Sequence, residues 1–332
     1  MLKKGIIVET TFDEYEIESQ INQGGSGTVF RVYNSAKQVY ALKAIDRNLT
    51  TKDKLKRFKN ELAFCQNNNH NNIIHILDHG VYHKNDENII FYVMPLYPMT
   101  LRDRMNSRIP ADEVLPMFYQ LLDAIKYAHQ KNIWHRDIKP ENVLIDDNGT
   151  VVLADFGIAH FCSEELVTAV ETKKCDRLAN FQYAAPEQRA RDSIVDGSAD
   201  IFATGLILNE MFTGKVIAGA NYLTIKSVNS KYSFLDKVVD SMICQNPIDR
   251  LSSEEIAFQI ASEQINDQEN QKLTSLIIKK PDNDDKFFET TDSIKTVKKI
   301  DEKDLNNKLA IVEIYEELLK VKSQIKKNQT QN

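Results

Sequence analysis

The stretch from His135 to Gly157, HRDIKPENVLIDDNGTVVLADFG, constrains the fold of this chain more than any other. Its two apolar runs, NVLI and VVLADF, read as strands lying side by side across a short loop. Four polar side chains stand beside them: Asp137 ahead of the first run, Lys139 and Asn142 in the same loop, and Asp155 at the end of the second. Polar groups next to buried apolar runs are costly unless something satisfies them. Two carboxylates and an amide brought to one point would repel each other unless a cation sat between them. Hard oxygen ligands kept partly wet are what Mg²⁺ prefers.

The first hundred residues read mainly as strands. YEIESQI and TVFRVYN flank a Gly-rich turn, and QVYALKAI follows as a third strand. KDKLKRFKNELAFCQ is expected to be a helix with Leu55, Phe58, Leu62 and Cys65 on one face, and NIIHILDHG and NIIFYVMPL are two more strands. Past Pro98 the pattern turns helical. EVLPMFYQLLDAIKYAHQKN is a long amphipathic helix in which Pro116 implies a first-turn position or a kink. SADIFATGLILNEMFTG is apolar almost all round and stops at Gly214, as a buried helix would. SFLDKVVDSMI and SSEEIAFQIASEQI add two further helices, the second opening on a Ser-x-x-Glu capping box.

Within this frame INQGGSGTVF forms a hairpin whose glycines let backbone N–H groups approach phosphate oxygens, although such a hairpin can equally be a tight turn. Lys43 lies in the apolar strand YALKAI, either as an edge lysine reaching solvent or as a cation aimed into a cleft. Glu61 on the next helix would account for a buried Lys43 as its ion-pair partner; a solvated glutamate is the competing reading. A phosphate-cradling loop, a lysine, Mg²⁺ ligands and a spare carboxylate are the parts phosphoryl transfer requires.

Taken together, YALKAI, HRDIKPEN, DFG and YAAPEQ in this order resemble the eukaryotic-type (Hanks-type) serine/threonine protein kinase family, with GGSGTVF and YAAPEQ phrased as in its bacterial members, here expected as a soluble one. The resemblance implies an α+β, bilobal fold: an N-lobe of antiparallel sheet plus one helix over about 15–94, and a mainly helical C-lobe over about 98–264, behind a 1–14 extension. It implies that Ile21, Asn22, Gln23, Gly24, Gly25, Ser26, Gly27 and Val29 cover ATP, and that Ala41 and Leu144 sandwich the base. Met94 is the expected gatekeeper, with Leu96 in the segment joining the lobes. Lys43 would hold the α- and β-phosphates together with Glu61. Asp137 would take or orient the acceptor proton, Lys139 would steady the transferred group, and Asn142 and Asp155 would hold Mg²⁺, for which Mn²⁺ can substitute. Glu187 is expected to pair with Arg250, and Asp200 to brace the catalytic-loop backbone. Lys139 in this loop resembles the serine/threonine branch, so the implied substrates are protein hydroxyls.

Arg136 beside Asp137 suggests control by phosphorylation of the following loop, where Ser163, Thr168 and Thr172 are candidates for autophosphorylation. Three departures stand out. Asn22 replaces the first glycine of the loop motif, with a tolerance for left-handed backbone. Asn180 stands where a small hydroxyl residue is usual. Cys65 takes a position usually held by a larger aliphatic, which would ease displacement of the Glu61 helix. Asn22 and Asn180 are the support for an alternative, a catalytically weak or inactive nucleotide-binding scaffold acting through its C-terminal helix.

The remaining expectations come from bulk properties. A net charge of −6 over 332 residues argues against a nucleic-acid or membrane partner held by bulk charge. No run approaches the roughly 18 apolar residues of a spanning helix, and GIIV is too short for a secretory core. Cys65, Cys162, Cys175 and Cys244 form no CxxC pair, which favours free thiols in the cytoplasm. After a polar linker over 265–300, residues 301–327 read as an amphipathic helix with Ile311, Ile314, Leu318, Val321 and Ile325 along one seam. That seam fits packing on its own domain, homodimerisation or a partner protein.

Overall fold

A computed structural model describes residues 2–84, 87–161, 182–190, 193–219 and 221–264. The 301–327 helix, the 265–300 linker, Ser163, Thr168, Thr172, Asn180, Cys162 and Cys175 lie outside the described residues.

The N-terminal half is one antiparallel sheet built from β1 (Ile7–Glu9), β2 (Glu14–Gly24), β3 (Gly27–Asn34), β4 (Val39–Asp46), β5 (Asp78–Lys84) and β6 (Glu87–Pro95). Its spatial order is β1-β2-β3-β4-β6-β5. Side-chain alternation sorts each strand into two faces. Phe30, Val32, Leu42, Ala44, Ile89, Phe91 and Val93 pack on one face with Val8, Tyr15 and Ile17. Lys43, Ile45, Ile90 and Tyr92 point to the other, towards helix α1 (Lys52–Asn67). Residues 1–14, expected as an extension, supply β1 and bury Leu2 and Val8. The outer strands also meet: a Cβ on Gly80 of β5 would lie 2.9 Å from the Glu9 carbonyl of β1, and Tyr15 donates to Asp78 at 3.3 Å.

Two sequence expectations shift here. The strand foreseen over 72–80 begins only at Asp78. Asn72–Ile74 instead pairs with the second half of the molecule, where Leu153 donates to the Asn72 carbonyl at 2.8 Å and Ile74 to the Leu153 carbonyl at 2.9 Å, while Ile76 donates to the Cys65 carbonyl and Leu77 to that of Val93. Ile73, Ile74 and Ile76 are thereby buried in the large core. The buried face of α1 is likewise turned from the expected one. It carries Arg57, Phe58, Asn60, Glu61, Phe64 and Cys65, with Leu55 and Leu62 at its margins, because Glu61 has a buried cation to meet.

The second half opens with β7 (Met99–Thr100) and helix α2 (Leu101–Asn106), whose first turn is closed by a Thr100–Asp103 capping box. Helix α3 (Ala111–Gln130) follows, and Pro116 lies inside it, beyond its first turn. The strands β9 (Val143–Ile145) and β10 (Val151–Leu153) are antiparallel neighbours, as the two apolar runs of the opening segment require. Two short strands, β8 (Ile133–Trp134) and β11 (His160–Phe161), pair with each other. Helices α4 (Pro186–Arg189), α5 (Ser198–Thr213), α6 (Ile225–Val228) and α7 (Leu235–Met242) follow, with a last helix over 253–264. Every residue of α5 from Ala199 to Met211 is buried, and Gly214 ends it with φ 69°. Ser252 and Glu255 form the expected capping box ahead of the last helix, with the Ser252 amide on the Glu255 carboxylate at 2.8 Å. The fold is thus α+β and bilobal, sheet with one helix joined to a mainly helical half. Among the described residues, no helix is long and apolar enough to cross a membrane.

A buried ion pair anchors the helical half. Arg250 grips Glu187 through both nitrogens, at 2.6 and 2.8 Å, and also donates to the Ser198 and Cys244 carbonyls. Removing one partner of such a pair strands the other charge in the core. Arg250→Met is expected to cost about 3–5 kcal/mol of stability, measured by urea unfolding.

Candidate active site

The Gly-rich hairpin joins β2 to β3 with Gly24 opposite Gly27. Gly27 has φ 141° and a Cβ there would sit 2.8 Å from the Ala44 carbonyl, so only glycine lets β3 run this close to β4. Asn22 does not use its tolerance for left-handed backbone: it lies in β2 opposite Val29, and its side-chain oxygen accepts from the Gln23 amide at 2.8 Å. Ser26 at the hairpin tip reaches Asp155 at 3.1 Å.

Beneath the hairpin, Lys43 projects from β4 and is only 4% exposed, yet it is fully paired. Its Nζ lies 3.0 and 2.9 Å from the two Glu61 oxygens and 2.9 Å from Asp155 Oδ1. Burial opposes a charge on this lysine, but the Asp155 and Glu61 carboxylates outweigh it and hold the ammonium well above its usual range. Burial pushes the Glu61 carboxyl up, against the pull of Lys43. For Asp155 burial also acts upwards, and the Lys43 charge overrides it to bring the carboxyl down to about 2. Asp155 itself takes a left-handed backbone, φ 61° and ψ 63°.

The loop before β9 supplies the second cluster. Lys139 Nζ lies 2.7 Å from Asp137 Oδ2, and the Asn142 amide nitrogen donates to the Asp137 carbonyl at 2.8 Å and to its carboxylate at 3.1 Å. The amide nitrogen of Asn142 is thus committed to Asp137, which turns its carbonyl oxygen the other way. Asp200, buried at the start of α5, holds this loop through the amides of His135 at 2.9 Å and Arg136 at 2.7 Å. Burial would raise its carboxyl, but a 2.9 Å contact with His129 contributes to holding it low. Arg136 has φ 64°, a cost that these two hydrogen bonds offset. His135 stacks edge-on against Phe156, which does the same against Phe64 of α1, with ring centres 4.6 and 4.9 Å apart. Cys65, on the same helix, is fully buried.

Both clusters open into one cleft of about 1070 Å³. Lys43, Glu61, Asp137, Lys139, Asn142 and Asp155 all line it. So do the hairpin residues Ile21, Asn22, Gln23, Gly24, Gly25, Ser26, Gly27 and Val29, and the apolar set Ala41, Met94, Leu96 and Leu144. Ala41 lies opposite Met94 in the β4–β6 ladder. Every site residue singled out in the sequence therefore reaches the same cavity. Sequence reasoning missed Arg102 of α2, which contacts Glu141, Glu210 and Tyr183. No local pattern marks it, since its three partners are remote in the chain.

Comparison with known proteins gives the same picture. A family model described as the protein kinase domain matches residues 15–260. A probable serine/threonine-protein kinase PknB of Lactococcus lactis is 33% identical over 209 residues, covering 61% of this chain and 32% of that protein. The serine/threonine-protein kinase PrkC of Bacillus subtilis is 36% identical over 166 residues, covering 49% and 24%. The serine/threonine-protein kinase ksg1 of Schizosaccharomyces pombe is 29% identical over 268 residues, covering 73% and 44%. The chain spans about a quarter to a third of the length of the first two relatives. With more than half of its length matched, the chain belongs to the protein kinase domain family.

Proposed function

We propose that the protein is an ATP- and Mg²⁺-dependent protein kinase that passes the γ-phosphoryl group to serine or threonine hydroxyls of other proteins and of its own loop. The observation that carries this reading is the convergence of Lys43, Glu61 and Asp155 with Asp137, Lys139 and Asn142 in one cleft under a Gly-rich hairpin. Relatives named serine/threonine-protein kinases support it.

In this reading the hairpin amides and Lys43 bind the phosphates, while Ala41, Met94 and Leu144 hold the base. Glu61 keeps Lys43 pointed into the cleft. Asp137 lies ready to accept the proton of the attacking hydroxyl as its oxygen bonds to phosphorus and the bond to ADP breaks. Lys139, paired with Asp137, lies within reach of the transferred group. The donor set of Asp155 carboxylate and Asn142 carbonyl suits a hard divalent ion, since Asp155 stays ionised and Asn142 turns its nitrogen away to Asp137. Mg²⁺ or Mn²⁺, when bound there, supplies charge neutralisation for the phosphates. The free thiols of Cys65 and Cys244 fit a cytoplasmic location. Of the two supports for the inactive-scaffold alternative, Asn22 still pairs with Val29 just past a bulge in β2, and Asn180 lies outside the described residues.

Purified protein incubated with labelled ATP, Mg²⁺ and a generic protein acceptor should transfer phosphate. Asp137→Ala should lose on the order of 10²–10⁴ in rate, and Lys43→Ala and Asp155→Ala should lose transfer as well. A wild type indistinguishable from Asp137→Ala would sink the reading.

The low Asp155 carboxyl also carries a pH signature. A depressed acid stabilises the fold above its ordinary value of 3.8, and that contribution fades as pH falls towards about 2. The stability difference between wild type and Asp155→Asn, from urea unfolding, should therefore be constant above about pH 5 and change across pH 4 to 2.

A further inference from the structure

A second cavity, of about 350 Å³, lies where the link from α2 to α3 meets the ends of α5 and α6. Its apolar lining is Ile109, Pro110, Ala111, Phe212 and Val228, and none of its residues lines the cleft. Ile109 belongs to the large core, and Phe212 rests against Tyr232 with ring centres 5.0 Å apart, so the walls are built before anything binds. Val228 is 44% exposed, an apolar group left at the surface. Two donors complete the lining, Arg108 and Asn229. Asn229 accepts the Lys231 amide on its side-chain oxygen at 3.2 Å, which leaves its amide nitrogen to donate. Arg108 has a left-handed backbone, φ 60°, uncommon for so bulky a residue. Its carbonyl accepts from Arg104 at 3.3 Å, but its guanidinium has no carboxylate partner among the described residues.

Apolar walls with an unpaired guanidinium and an amide beside them match an apolar side chain that neighbours a carboxylate. The surroundings carry the same sign. Lys215 follows α5 and Lys226 lies in α6, both exposed, while Glu113 at the start of α3 is neutralised by Arg104 at 2.6 Å. Exposed Asp112 is the remaining acid of that turn, and it does not line the groove. A chain of net charge −6 thus turns cations to this one apolar recess. Its place relative to the cleft suggests whose segment it takes. Helix α2 starts at the cleft, which Thr100 and Asp103 line, and its six residues end just before Arg108, about 9 Å on. An extended peptide covers that span in about three residues. We propose that this groove docks an acidic segment of a protein acceptor: an apolar side chain enters beside Phe212 and Val228, and the neighbouring carboxylate meets Arg108 and Asn229. The docking stands on the groove alone; that its occupant is an acceptor deepens the kinase reading above and rests on it.

The probe is a fluorescein-labelled Glu-Leu-Glu-Phe-Glu peptide, read by fluorescence anisotropy on the full-length protein, beside a twin with every Glu replaced by Gln. Wild type should bind the acidic peptide about tenfold or more tighter than the twin, the worth of hydrogen bonds between charged groups. Arg108→Gln should remove that difference and leave the twin unchanged, and Arg108→Glu should turn the preference to a Lys-Leu-Lys-Phe-Lys peptide. Val228→Ser, at an exposed position, should weaken both peptides alike with Tm unchanged. Equal binding of the acidic peptide and its twin, or a preference that survives Arg108→Gln, would overturn the proposal. So would decanoate binding lost in Arg108→Gln where the peptide does not bind, which assigns the recess to a small amphiphile. A doubled mass in light scattering, abolished by Arg108→Gln, would likewise overturn it in favour of a second copy of the chain. Fusing the acidic segment to a serine peptide through Gly-Ser spacers of increasing length tests the occupant. At one spacer length KM should fall about tenfold with kcat unchanged, in wild type and not in Arg108→Gln. No gain at any length in an active enzyme overturns the acceptor assignment, whereas an inactive wild type sinks the kinase reading and leaves anisotropy to decide the groove.

Discussion

One buried cation, Lys43, ties the two halves of the molecule together. It hangs from β4, meets Glu61 on α1 and reaches Asp155 just past β10, so three elements remote in sequence share one charge. An ammonium that is 4% exposed is tolerable only while both carboxylates stay close. The orientation of α1 follows from this, since Glu61 must lie on its inner face. Phe64 and Cys65, three and four residues on, are then carried inward with it, and the Phe64–Phe156–His135 stack extends the contact into the helical half.

The helical half holds its side of the cleft through buried contacts. Helix α5 has almost no solvent face, and what it buries includes Asp200, whose two oxygens hold the His135 and Arg136 amides. The loop bearing Asp137, Lys139 and Asn142 is therefore suspended from the core by a carboxylate, and the Glu187–Arg250 pair locks the segment beyond it. Charges on the sheet half meet charges pinned to an apolar framework, which is how the cleft keeps its geometry.

Much of this was legible in the sequence because it is written in local terms. Alternation identified β2 and β3, an all-round apolar run identified α5, and Ser252 with Glu255 marked the start of the last helix. The site was legible for another reason: Asp137, Asn142 and Asp155 sit next to apolar strands where bare polarity would be costly. What was not legible depends on juxtaposition. Ile73, Ile74 and Ile76 suggest a strand by composition, yet Ile73 and Ile74 pair with Leu153, some eighty residues on, and Ile76 with Cys65 of α1, rather than with β6. Leu55 and Leu62 look like the inner stripe of α1 until a buried lysine claims that side for Glu61. Arg102 is one charged residue among many on a short helix, and only the fold brings its three partners to it.

The segment Asn72–Leu77 has a mechanical consequence. It is stitched to Leu153 at one end and runs straight into the sheet as β5 at the other, so it forms a short covalent and hydrogen-bonded axle between the two bodies. Any relative displacement of the two halves would therefore have to strain either the Leu153 bonds of Asn72 and Ile74 or the Leu77–Val93 bond.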